Sequence, residues 1–153
     1  ALSAFTGQNY GANQIDRIYK GVRYTLILSL IVGVLGFCIY FFWGEGLFAL
    51  IVPEEAAYIA GGIYLSIQAV PQVFSMIEIT SQGFFYGIRQ TLPPSLISII
   101  GNLLRIPAAL LLLPLTKDIT TLWWIIGASS ILKGIVAGIW YLLVRRSTIS
   151  SNR

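Results

Sequence analysis

Histidine is absent from this sequence and cysteine occurs once, at Cys38. A disulfide framework within the chain is excluded, as are a histidine-based zinc site and a Ser-His-Asp triad. Charge is scarce as well: 10% of the 153 residues are Asp, Glu, Lys or Arg, where soluble domains carry roughly 25%. No nucleophile–base pair and no metal-ligand set is visible, which argues against an enzyme. The net charge of +4 does not signal nucleic acid, because the basic residues are dispersed along the chain and form no single patch.

What is abundant is hydrocarbon. Apolar residues make up 56% of the chain, and the few charges are separated by apolar runs about 20 residues long, the length that crosses a hydrocarbon core of about 30 Å at 1.5 Å per residue. The runs are apolar nearly all round, unlike the one-sided helices of soluble proteins. The sequence therefore predicts an all-α integral membrane protein with four full spans, over about 24–43, 56–86, 95–115 and 120–144. Residues 1–10 (ALSAFTGQNY) open without Met in an apolar run and read as the last turns of an earlier helix, with its beginning outside the sequence. Gly44, Glu45 and Gly46 are expected to break the first span, and 47–55 (LFALIVPEE) to form a short re-entrant or interfacial piece ending at Pro53. Pro71 and Pro107 are expected to kink the second and third spans.

Orientation follows from the turns. Arg17, Lys20, Arg23, Arg89, Arg145, Arg146 and Arg153 fall on one side; Lys117 alone falls on the other, with Glu45, Glu54, Glu55 and Asp118. Seven basic residues against one place the C-terminus in the cytoplasm. Aromatic belts agree, with Trp43, Trp123 and Trp124 at one interface and Tyr19, Tyr86, Trp140 and Tyr141 at the other.

Three charges lie inside spans: Glu78, Arg105 and Lys133. Counted from the basic ends of their helices they sit about 15 to 18 Å deep, close to one level near the midplane. A carboxylate there costs on the order of 2.5–3.5 kcal/mol on insertion scales, so it is expected to face a cavity or a partner. Two readings stay open: a polar cavity for substrate and coupling ion, or a Glu78–Arg105 pair that pins two helices. Lys133 can also line a cavity without chemistry. One acid against two bases predicts a further carboxylate elsewhere in the polypeptide. Ser75, Phe74, Pro71 and Gln82 share the Glu78 face at i−3, i−4, i−7 and i+4. A carboxylate with a hydroxyl, an amide and a proline-freed carbonyl offers oxygen ligands to Na⁺, or a protonatable site. Phe74, Phe84 and Tyr64 are candidate aromatic surface for a cationic substrate. Gly83-x-x-x-Gly87 and Gly134-x-x-x-Gly138 are read as close-packing stripes within one bundle rather than as dimer motifs.

Gly7-Gln8-Asn9-Tyr10-Gly11-Ala12 before a basic turn, Ala69-Val70-Pro71-Gln72, Gly83-Phe84-Phe85-Tyr86-Gly87 before a proline turn, and Arg105-Ile106-Pro107 occur in that order. In this ordered set the chain resembles the C-terminal lobe of the MATE (multidrug and toxic compound extrusion) family, over essentially its whole length. The resemblance implies half of a two-lobe, twelve-helix transporter: 1–10 as the end of helix 8, about 19–43 as helix 9, 56–87 as helix 10, 93–115 as helix 11, 119–146 as helix 12 and 147–153 as a cytoplasmic tail. It implies partners in the N-terminal lobe and helix 7 of the same polypeptide and a multi-pass place in the inner (plasma) membrane. It also implies a Na⁺- or H⁺-coupled antiporter exporting amphipathic organic cations by alternating access, with no other cofactor. Where some sodium-coupled members carry an aspartate, this chain has Ser75; Glu78, one turn on, is the candidate to hold the ion. A flippase for polyprenyl-linked lipids, using Arg105 and Lys133 on an anionic head group, is the alternative from the same superfamily. A non-transporting membrane subunit is a further one.

Overall fold

The computed structural model describes the backbone of residues 1–151 and the side chains of residues 1–145. Arg153 and the side chain of Arg146, both counted for orientation, lie outside the described residues. Among the described residues six helices follow in order: α1 (Leu2–Gly11), α2 (Ile15–Ala49), α3 (Glu55–Gly87), α4 (Leu92–Leu103), α5 (Arg105–Thr116) and α6 (Thr120–Ser151). No strand occurs among the described residues. Taking α4 and α5 together, four helical segments are long and apolar enough to cross a membrane: Ile15–Ala49, Glu55–Gly87, Leu92–Thr116 and Thr120–Arg145.

Helix α3 is the centre of the bundle. It packs against α2 on one side and α6 on another, with α1 beside its C-terminal end, and α4 and α5 pack chiefly on α6. The core is concentrated at the basic end, where Ile18, Tyr19 and Val22 of α2 meet Phe84 and Phe85 of α3 and Tyr141 of α6. The Phe84 ring stands edge-on to Tyr141, centroids 4.9 Å apart, and the Arg145 guanidinium lies 5.3 Å from the centre of the Tyr19 ring. Such arrangements match ring edges and cations to the negative faces of aromatic rings.

The expected break after the first span is corrected. The first helix does not stop at Gly44-Glu45-Gly46: α2 continues to Ala49, and no re-entrant piece forms over 47–55. A glycine inside a helix costs about 1 kcal/mol relative to alanine, and here tertiary contact outweighs it. Gly44 is buried against α3, where a Cβ would lie 3.4 Å from the Gly62 carbonyl oxygen, and Phe48 covers Gly61. Pro71 lies within α3, which runs unbroken on both sides of it. Its missing N–H leaves the Ile67 carbonyl without an intrahelical donor. The third span is interrupted as expected, with Leu104 separating α4 from α5 three residues before Pro107.

The turns after α1, α3 and α5 each use a left-handed residue, Asn13, Arg89 and Lys117. The last turn is fixed further by Asp118, whose carboxylate accepts from the Thr120 hydroxyl at 2.6 Å and the Thr120 N–H at 3.0 Å. Those bonds hold its carboxyl below the ordinary carboxylate value, the hydroxyl bond contributing most. A depressed folded-state value means that this turn is secured at neutral pH and loosens only as pH falls below the ordinary carboxylate range.

Small residues set the helix spacing. A Cβ on Gly134 of α6 would overlap the Phe74 carbonyl of α3, whereas one on Gly138 would meet only the Ile77 Cγ2 at 3.2 Å. Gly83 and Gly87 receive Leu2 and Thr6 of α1. Both glycine stripes are thus filled by helices of this chain. Backbone cannot yield as a side chain can, so Gly134→Ala is expected to destabilise the detergent-solubilised protein by about 1–3 kcal/mol. Gly138→Ala is expected to change it by well under half of that. Thermal unfolding of the two variants side by side checks the contrast.

Candidate functional site

The site is built on α3. Glu78 faces inward with 7% of its surface exposed, 23 residues into a 33-residue helix. One carboxylate oxygen takes two partners: Oε1 accepts from the Gln82 amide at 3.0 Å, one turn along the same helix, and lies 3.5 Å from the Lys133 Nζ of α6. At 3.5 Å the ion pair is longer than the 2.7–2.9 Å of a tight charge-assisted hydrogen bond. Lys133 reaches across because α4 has no side chain in its path; a Cβ on Gly101 would overlap the lysine Cγ and Cδ. The lysine stem also lines an apolar cavity of about 150 Å³ between α4 and α6, with Leu96, Ile97, Leu132 and Trp140.

The Glu78–Arg105 pairing weighed in the sequence is therefore replaced by Glu78–Lys133. Arg105 turns to α6 and donates from Nε to the Ser129 hydroxyl at 2.6 Å and from Nη2 to the Ser130 hydroxyl at 3.3 Å. Both serines pass their own protons to the Ile126 carbonyl, so their lone pairs face the cation. This arrangement solvates the guanidinium without neutralising it. Among the described residues no carboxylate lies within ion-pair distance of Arg105.

The remaining candidates divide. Gln82 contacts the carboxylate directly. Ser75 is half-buried, and its hydroxyl donates to the Pro71 carbonyl at 3.0 Å. The carbonyl that Pro71 frees is that of Ile67, eleven residues from Glu78, hence about 16 Å away along the helix; it cannot join Glu78 as a ligand. It faces Gly127 of α6, where a Cβ would lie 3.9 Å from the Ile67 oxygen. Phe74 is half-buried one turn before Glu78, with its carbonyl against Gly134. Phe84 is sealed in the core and is withdrawn as ligand surface. Tyr64 stands edge-on to Trp123 with centroids 5.7 Å apart, near the acidic end and far from Glu78.

Residues 1–111 match the MatE family. The chain belongs to that family. Comparison with curated proteins gives no match. MATE members are transporters rather than enzymes, and this chain is an all-α, multi-pass membrane protein of that transporter family. The carboxylate that sequence reasoning singled out is thus a buried, cross-helix ion pair in a transporter helix. Its true partner was visible as a charge at the same depth, but choosing between Lys133 and Arg105 required the rotation of α4 and α5 about α6.

Removing one partner of a buried pair leaves the other charge uncompensated, at a cost of about 3–5 kcal/mol, while replacing both is close to neutral. Glu78→Gln and Lys133→Met are each expected to lower thermal stability clearly. The double variant is expected to recover most of the loss, and a double-mutant cycle on the unfolding midpoints measures the coupling.

Proposed function

We propose that this chain works in a cation-coupled antiporter that exports amphipathic organic cations by alternating access. The observation that carries the reading is the loosely paired, buried carboxylate of Glu78 on the central helix. A carboxylate held at 3.5 Å by a flexible lysine can exchange that lysine for a driving ion or a cationic cargo, because the three compete for the same negative charge. Gln82 keeps Oε1 oriented during the exchange. Na⁺ and H⁺ both suit this site, Na⁺ using Glu78 with the Ser75 and Gln82 oxygens.

In this reading the helices form most of the family's C-terminal lobe. The N-terminal lobe and helix 7 of the same polypeptide complete the cavity. The protein sits in the inner (plasma) membrane with its basic end and C-terminus in the cytoplasm. A C-terminal green fluorescent protein fusion should therefore fluoresce, and a periplasmic alkaline phosphatase fusion at the same point should be inactive; the reverse pattern would invert the topology.

Arg105 supports a second reading. A half-buried guanidinium whose partners among the described residues are serines suits an anionic head group, as a lipid-linked oligosaccharide or polyprenyl-lipid flippase would need. One experiment separates the two. The protein is reconstituted in liposomes and export of a fluorescent organic cation is followed under a Na⁺ gradient, then under a proton gradient. Gradient-driven export is expected for the wild type under one of them. In the stability-matched Glu78→Gln/Lys133→Met double variant it is expected to fall at least tenfold, the scale of one lost charge interaction. Absence of export under both gradients, with head-group-labelled lipid translocated instead and that activity lost in Arg105→Gln, would favour the flippase.

A further inference from the structure

At the basic end of the bundle a cavity of about 90 Å³ lies where α1 ends and α2 begins, beside the C-terminal parts of α3 and α6. Ile18, Phe84 and Val144 form apolar walls, and Tyr10, Tyr19 and Gln90 bring polar side chains to it. Tyr10 and Gln90 lie outside the four membrane-crossing segments, and Arg145 is the last residue of the fourth. The cavity therefore sits at headgroup level rather than in hydrocarbon.

Its donors are unspent. Tyr19 is 9% exposed, yet its hydroxyl makes no hydrogen bond among the described residues. A hydroxyl so deeply placed ordinarily has a partner. The Arg145 guanidinium, over the Tyr19 ring, has no ion pair among the described residues. The α2 N-terminus carries no side-chain cap, so the N–H groups of its first turn, beginning at Ile15 on the cavity wall, lack intrahelical acceptors. Carbonyls at this end are already satisfied: the Gln90 N–H donates to the Phe85 carbonyl at 2.9 Å and the Gln14 N–H to the Asn9 carbonyl at 2.8 Å. The Gln90 side-chain amide is left to donate elsewhere. Asp16, in the first turn of α2, does not line the cavity.

A fixed cation, two phenol hydroxyls, an amide and an uncapped helix start thus stand beside apolar walls. A packing void between helices would be lined by hydrocarbon alone. An anion satisfies these donors. A phosphate diester also brings glycerol and ester carbons to the apolar walls, which an inorganic anion leaves bare.

We propose that this cavity binds the phosphate of an anionic phospholipid from the leaflet that the basic end faces. Lys20 and Arg23 of α2 and Arg89 of the turn after α3 are exposed and add positive charge to this end. They favour a net-anionic headgroup over a choline headgroup, which carries its own cation. The site uses neither Glu78 nor Lys133 and does not rest on the transport reading.

The test uses the purified protein in a maltoside detergent, mixed in turn with phosphatidylglycerol, phosphatidylcholine and inorganic phosphate. Bound lipid is counted by native mass spectrometry, and stability is followed by thermal unfolding. Phosphatidylglycerol should be retained preferentially and raise the unfolding midpoint; phosphatidylcholine and inorganic phosphate should do neither. Arg145→Gln should weaken retention about fivefold or more, the scale of one basic residue at an anionic membrane surface. Tyr19→Phe keeps the ring in the core and should weaken it several-fold. Arg17 is the control, since it lies about 200° round α2 from Ile15 and donates to Gln14 at 2.8 Å. Arg17→Gln should stay within about twofold of wild type. Equal losses in Arg17→Gln and Arg145→Gln overturn the site, because a diffuse positive surface behaves that way. Equal retention of phosphatidylcholine overturns it too, as does binding of inorganic phosphate without lipid.

Discussion

A carboxylate taken out of water must meet a counter-charge or shed its own, and the placement of Glu78 on the central helix imposes that condition on everything around it. Its desolvation is several kcal/mol uphill unless a cation approaches. The cation is Lys133, and the lysine can approach only because Gly134 lets α6 come down on α3 and Gly101 clears a path past α4. The glycines near this level are thus geometric requirements of the ion pair as much as packing devices. Gln82, one turn away, satisfies the same oxygen and keeps it turned toward α6.

The two ends of the bundle are built differently. At the basic end four helices close on an interlocked cluster of Tyr19, Phe84, Phe85 and Tyr141, with Arg145 over the Tyr19 ring. At the acidic end α2 and α6 stand apart across α3. The long apolar faces of α2 and α5, with Leu28, Leu35, Leu110 and Leu111 outward, need no such specificity because hydrocarbon covers them equally well in any rotation.

Arg105 shows how the same charge type is handled when no acid is near. Two serine hydroxyls, each donating backward to its own helix, present lone pairs to the guanidinium. This preserves the positive charge and leaves it available, where an ion pair would cancel it. Among the described residues the spans therefore hold one cation paired with a carboxylate, Lys133, and one bonded to serines without such a partner, Arg105.

Length and apolar content alone dictated the spans, because a 30 Å hydrocarbon core admits few solutions for a backbone that must satisfy its own hydrogen bonds. The spacing of glycines named the close-packed faces, and the ordered motifs named the family. Glu78, Lys133 and Arg105 were legible as unusual charges by the same logic of cost. Their partners were not. Pairing depends on how far each helix is rotated about its axis, and runs that are apolar nearly all round carry no periodic signal to fix that rotation. The persistence of α2 through Gly44-Glu45-Gly46 was hidden for a related reason: glycine weakens an isolated helix, and only contact with Gly62 of α3 turns the same residue into the point where two helices fit. Tertiary packing thus decided which lysine meets the carboxylate and where Glu45 comes to rest, since both depend on distances between helices that no single helix contains.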